Sequence, residues 1–196
     1  KALWTEASAA DECIAIGKQA LYTQNDASAV NLAIGSTAGY NITSGTKNVL
    51  IGHEAGKAIA TANENTAVGH TALKAATGAG NTALGRESLL TIVAGTLNTA
   101  LGGGAMKSAA SEESYNTAIG AHALLNLAVV DGDFNTALGY DAGRFLSNGS
   151  TAVTDIRKCT YIGSETRGSA ATDVENETVI GAGAVGIGVN TVKVGN

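Results

Sequence analysis

Proline is absent from all 196 residues, and aromatic residues make up only 4% of them, with a single tryptophan. Without proline a proline-rich linker is excluded, and with so few aromatics there is little material for the thick core of an ordinary domain of this length. No run of eighteen apolar residues occurs, so no segment reads as a membrane-spanning helix and no membrane insertion is expected. Basic side chains are few and scattered, 12 against 17 acidic ones for a net charge of −5. That leaves no basic stripe to neutralise phosphates, and nucleic acid is not an expected partner. No basic, apolar leader precedes Lys1, and a chain opening on lysine reads as an excised or processed fragment.

What is present is repetition. NTALG is written at Asn81, Asn98 and Asn135, with NTAVG at Asn65 and NTAIG at Asn116. The related strings CIAIG at Cys13, NLAIG at Asn31, NVLIG at Asn48, CTYIG at Cys159 and ETVIG at Glu177 extend the series to ten copies. Their closing glycines, from Gly17 to Gly181, are spaced by 18, 17, 17, 16, 17, 18, 19, 24 and 18 residues. A period this short, held nearly end to end, is the signature of a solenoid. The 26 glycines without proline do not make a collagen, and 44% hydrophobic residues argue against disorder.

Each slot of the repeat carries its own expectation. The residue before the closing glycine is aliphatic in all ten copies (Ile16, Ile34, Ile51, Val68, Leu84, Leu101, Ile119, Leu138, Ile162, Ile180), and it is expected to be buried. Two residues earlier, on the same side of an extended strand, stand mostly β-branched residues such as Thr66, Thr82, Thr99, Thr117 and Thr136. The opposite parity is small: Ala83 and Ala100 with their equivalents, and the asparagines Asn65, Asn81, Asn98, Asn116 and Asn135. The closing glycine predicts a sharp corner or a close approach of chains. Alanine recurs three residues past it, and stretches such as HTALKAA, RESLL and GAMKSAA favour a short helical turn. A second glycine three residues ahead of the asparagine (SGTKN, TGAGN, AGTLN) brings the chain round to the next strand.

The expected fold is therefore an all-β repeat solenoid with short helical turns, its coils stacked at about 4.8 Å into a rod on the order of 50 Å long. Three segments are expected: 1–12 as an N-terminal cap or linker, 13–189 as a ten-coil solenoid, and 190–196 as a C-terminal strand. Stacked asparagines can hydrogen-bond along the rod. A thin coil with an alanine and asparagine face is a poor monomer, so several chains are expected to bring those small faces together, with Asn65 to Asn135, Ala83 and Ala100 forming the trimer or stacking ladder.

The string NTAIG-x-x-A, repeated coil after coil, resembles the left-handed β-roll repeats of trimeric autotransporter adhesin heads and the similar repeats of bacteriophage tail fibres. The resemblance covers Cys13 to about Val185. It implies a homotrimer, a structural and host-receptor-binding role in the virion tail, and a host cell-surface glycan or protein as partner. The present coils are longer than those of adhesin heads and closer to the phage version. The final NTVKVGN at Asn190 resembles the run that in such fibres leads into a C-terminal intramolecular chaperone domain, which directs trimer formation and is then cleaved off. No such domain follows Asn196, the ending expected of a processed fibre.

Candidates for chemistry are sparse. Cys13 and Cys159 occupy one slot eight coils apart, roughly 40 Å at strand spacing, too far for a disulfide within the chain. They read as buried thiols standing in for asparagine, or as an interchain bridge near the axis. His53 and His70 follow closing glycines in adjacent coils and could stack, but no carboxylate shares their register, so no metal site is expected. DGDFN at Asp131 is a calcium-like fragment without the remaining ligands, better read as a polar turn. The glycine-rich runs at Gly102 and Gly181 extend the repeat corner; the second lacks the lysine, hydroxyl and strand-loop-helix context of a phosphate loop. Asn-x-Ser/Thr at Asn41, Asn148 and Asn176 reads as chance. No cofactor is expected.

The longest step, between Gly139 and Gly163, predicts a loop standing off the rod, and its Tyr140, Arg144, Phe145 and Arg157 are the candidate receptor contacts. Glu6, Glu12, Glu54, Glu64, Glu87, Glu112 and Glu113 fall in unequal slots and do not form the paired carboxylates of a polysaccharide depolymerase, so an enzyme is not expected. A bacterial surface adhesin head is the alternative owner of the same architecture, placing it on the cell surface. An ice-binding solenoid is disfavoured here because its threonines would share a side with the buried aliphatics.

Overall fold

The structure, a computed structural model, describes residues 12–26, 29–109, 112–127, 132–169 and 173–196. Each copy of the repeat forms one short strand: β1 (Ile14–Ile16), β2 (Leu32–Ile34), β3 (Val49–Ile51), β4 (Thr66–Val68), β5 (Thr82–Leu84), β6 (Thr99–Leu101), β7 (Thr117–Ile119), β8 (Thr136–Leu138), β10 (Thr160–Ile162) and β12 (Thr178–Ile180). An eleventh, β13 (Val192–Val194), continues the stack. All pair in parallel as one 11-stranded sheet, each strand beside its predecessor in the stack. Register follows the repeat: Thr66, Ala67 and Val68 lie against Thr82, Ala83 and Leu84. β9 (Ile156–Arg157) and β11 (Val174–Glu175) make a second, two-stranded parallel sheet. The fold is an all-β solenoid with no helix among the described residues.

The closing glycines turn the corner, and the close approach they make is between successive coils of one chain. Their φ angles run from +124° at Gly17 to +140° at Gly69, a region side chains avoid. The next glycine of the column also lies against them: a methyl group on Gly35 would sit 2.4 Å from the carbonyl oxygen of Gly52. The corner glycines Gly78 and Gly95 are needed for space alone, since a Cβ on either would lie 2.1 Å from a carbonyl of the following coil.

The expected helical turns do not form. After each closing glycine alternate residues take left-handed φ, as at Thr71 (55°) and Leu73 (53°), or Glu87 (60°) and Leu89 (49°). An α-helix requires successive right-handed residues. Here the N–H of Ala72 closes a tight turn onto Gly69, while that of Leu73 reaches Ser88 in the next coil. Bonding between coils replaces bonding along the chain, so the alanine and leucine content does not produce helix.

The expected polarity of the strands is inverted. The middle residues Ala33, Ala67, Ala83, Ala100, Ala118 and Ala137 are fully buried, as are Asn65, Asn81, Asn98, Asn116 and Asn135 within 2%. The aliphatics before the glycine face outwards instead: Ile16 is 57% exposed, Leu84 44% and Leu138 46%. The small face lies inside the coil, and Ala83 and Ala100 are core residues rather than contacts between chains. The physical reason is the opposite wall. Leu21, Leu73, Leu89, Met106 and Leu124, four residues past their closing glycines, project into the coil and are fully buried, so the strand facing them has room only for a methyl group.

Where the strand is large, that wall gives way. Leu50 replaces alanine in β3, and the facing positions on either side of it are Gly39 and Gly56. A Cβ on Gly56 would lie 2.6 Å from Leu50, and one on Gly39 2.9 Å from it. Tyr161 replaces alanine in β10, and Gly143 faces it, with 2.9 Å left for a Cβ. The core is a sum of facing pairs held at constant volume.

Candidate functional site

The asparagine column forms a continuous internal ladder. Oδ1 of Asn98 accepts the backbone N–H of Asn116 (3.0 Å) and its side-chain amide (3.2 Å), while Nδ2 of Asn98 donates to Asn81 (3.1 Å) and to the carbonyl of Glu113 (2.7 Å). The same backbone contact recurs from Asn31 to Asn135 and ends on the N–H of Cys159. These side chains are structural and closed to ligands.

Cys159 is fully buried in this column, its thiol raised above the ordinary range by burial. Its Sγ donates to the carbonyls of Arg157 (3.3 Å) and Val174 (3.5 Å), which removes it from any bridge between chains. Cys13, half-buried, donates to Ala29. Glu177 takes the same slot in β12 and is fully buried. Its carboxylate accepts the Tyr161 hydroxyl (3.0 Å) and the N–H groups of Ser169 (3.2 Å) and Gly188 (2.9 Å). Burial pushes the Tyr161 hydroxyl far above its ordinary pKa, so it stays a donor. The glycine-rich run after Gly181 closes round the chain's own Glu177 side chain, where a Cβ on Gly186 would strike its Oε1.

On the outside, His53 and His70 stack with ring centroids 5.2 Å apart. No group of three or more candidate metal ligands occurs among the described residues. Asp131 of the DGDFN stretch lies outside the described residues, as do Glu6 and residues 1–11 of the expected cap. Asp133 accepts the N–H of Ser114, one coil away. Asn148 also serves a turn, accepting the N–H groups of Ser150 and Thr151.

The acidic residues are more regular than expected. Glu54, Glu87, Asp141 and Glu165 all stand two residues past a closing glycine. Glu54 lies between Lys57 (2.6 Å) and Lys74 (2.7 Å), and the hydrogen bond from Lys57, with that from Lys74, lowers its pKa to about 2. Glu87 meets Arg86 and Lys107, the latter chiefly lowering its pKa. Asp141 meets Arg144 at 2.9 Å and His122 at 3.3 Å.

The expected receptor contacts separate into two groups. Arg144 binds Asp141 and lies 4.6 Å from the Phe145 ring centroid, and Tyr140, half-exposed, flanks His122 at 6.2 Å. Arg157 is elsewhere, on β9, ion-paired with Asp173 and Glu175. The long loop does not stand off the rod either. Phe145 pairs with Ala152, Leu146 pairs with Gly168, and Val153 and Ile156 are buried. Apolar anchors within the insertion draw it back onto its own coil. Beside it Asp141, Phe145, Gly149, Glu165 and Arg167 line a polar cup of about 230 Å³. Of these only Phe145 was singled out as a contact from the sequence, because residues 141 and 165 meet only when coils stack.

The second surface is the outer face of the main sheet. None of the outward side chains of the eleven strands is buried. They form two columns, one mostly threonine and one aliphatic, ending in Val192 (67% exposed) and Val194 (70%). Leu97, Tyr115 and Phe134, each at least half exposed, stand in one column just ahead of the strands, and the two rings stack at 4.9 Å. No protein-family model, curated protein or solved structure matches this chain. No helix among the described residues is long and apolar enough to cross a membrane.

Proposed function

We propose that the chain is a rigid segment of a homotrimeric bacteriophage tail fibre, in which the outward sheet faces of three copies meet around a common axis and the insertion faces the bacterial surface. The observation that carries this reading is the unbroken outward aliphatic column on an in-register parallel sheet. Covering a half-exposed aliphatic side chain contributes about 1 kcal/mol, so a column of eleven matches the roughly 4–15 kcal/mol that association costs. The repeat's resemblance to fibre and adhesin-head repeats supports it independently. The role is structural and adhesive, with no catalytic step assigned. A bacterial trimeric adhesin head is the same assembly with a different owner.

Light scattering with sedimentation tests the assembly. The expected mass is three times the 19.4 kDa chain. The double variant Leu84→Glu/Leu101→Glu, which charges the outer face without touching the coil interior, is expected to leave a folded monomer. A wild-type monomer overturns the trimer. One observation favours a second reading in that case: the threonine column shares the exposed face, contrary to the reason first given against ice binding. Thermal hysteresis in a monomeric wild type would support it.

A further inference from the structure

Among the four carboxylates of the corner column, Glu165 differs from the rest. Glu54, Glu87 and Asp141 each meet a basic side chain within 3.1 Å, whereas the exposed Glu165 side chain takes no ion pair or hydrogen bond among the described residues. The half-buried Arg167 guanidinium, two residues on, likewise has none there, although an unmet guanidinium ordinarily finds an acceptor. Both line the cup beside the insertion. Arg167 is nevertheless positioned, because its guanidinium lies across Gly149, where a Cβ would come within 3.1 Å of it. The loop carrying Gly149 is itself held: the N–H of Leu146 donates to the carbonyl of Thr151 (2.8 Å), and Asn148 caps the turn. Arg144, stacked on Phe145, fixes that ring.

We propose that this cup binds one neutral pyranose unit of a surface glycan. Its volume is below the roughly 300–1,000 Å³ of sites for drug-sized ligands, which suits a single sugar ring. The free guanidinium fork donates to a pair of neighbouring hydroxyls, the Glu165 carboxylate accepts from a hydroxyl, and the Phe145 ring offers an apolar wall to the sugar's C–H face. Charge selects against anions: Arg144 balances Asp141 and Arg167 balances Glu165, leaving no net positive field for a phosphate or a uronate. The site lies within one chain. It deepens the host-glycan part of the fibre reading and rests on it, but its test does not depend on the mass of the assembly.

The probes are the methyl glycosides of glucose, galactose, mannose and rhamnose, with methyl glucuronide as the anionic comparison, followed by saturation-transfer NMR and titration. Wild type is expected to saturate at least one neutral glycoside, with millimolar affinity as befits one unit of a longer chain. Arg167→Met is expected to weaken that binding by about tenfold or more and Glu165→Gln by about fivefold, as for loss of hydrogen bonds to charged groups. Arg157→Ala is expected to leave it unchanged. Circular dichroism and elution volume matching wild type establish that each variant is folded. No transfer to any neutral glycoside, preference for the glucuronide, or binding that survives Arg167→Met in a folded protein would overturn the site. Such a result leaves the trimer measurement standing, while a monomer that still binds sugar would sink the fibre reading and keep the cup.

Discussion

The rungs from β4 to β8 and those at β10 and β12 solve the same packing problem with different residues. In the first region asparagine, threonine, alanine and an aliphatic recur, so each coil is a copy of its neighbour and the ladder runs on unbroken. In the second, cysteine and glutamate replace the asparagine, while tyrosine and valine replace the alanine. Each departure is met by a local compensation: Gly143 opposite Tyr161, the Gly186 and Gly188 run around Glu177, and an inserted loop anchored by Val153 and Ile156. Repetition makes stability a sum of like contacts. Irregularity makes it a set of matched pairs, and beside the irregular end Glu165 and Arg167, which line one cup, have no ion pair among the described residues.

The largest expected break is in the regular region. Ala83→Leu with Ala100→Leu forces two large side chains against the buried leucines and is expected to cost about 4 kcal/mol, read as a lowered urea midpoint; a change in assembly with stability intact would return these alanines to the surface between chains. Asn98→Ala removes an acceptor for two donors and a donor for two acceptors, and is expected to cost about 3 kcal/mol. Cys159→Ala, in the same slot of the irregular region, is expected to cost about 1 kcal/mol, since a thiol is a weak donor. Equal losses would erase the distinction between the regions.

Smaller effects sharpen the rule of constant facing volume. Leu50→Ala and Gly56→Leu are each expected to destabilise, by cavity and by overpacking, yet their combination recovers about 2 kcal/mol relative to the sum. The backbone permits it, because Leu73 holds the equivalent left-handed position at φ 53°. Strict additivity would refute the pairing. The smallest effect concerns pH. Glu54 has its pKa depressed from 4.5 to about 2, so its contribution is complete above 4.5 and is lost as pH falls towards 2. Glu54→Gln should flatten the acid limb of a stability profile over that interval, and an unaltered profile would mean the two lysines do not hold it in solution.

Much of the fold was legible without coordinates. The position of ten strands, the corner glycines and the asparagine ladder follow from spacing and residue type, because identical residues one coil apart must stack. A C-terminal strand is expected over 190–196, but not as an eleventh rung of the stack, since Thr191 and Lys193 stand where asparagine and alanine recur. The surroundings of the cup were legible only in part. Arg144 and Phe145 adjoin the cup, but Arg157 is on another sheet, and Glu165 and Arg167 belong to the following coil.

Sequence alone determined that this chain is a solenoid and where each coil begins, because a short period leaves few other ways to satisfy the backbone. It also determined that every strand has two unlike faces. Which face turns inwards was decided by tertiary structure. Alternation of residues distinguishes the sides of a strand but carries no sign, and the sign came from the opposite wall, whose leucines left space for alanine and sent the larger aliphatics out to solvent.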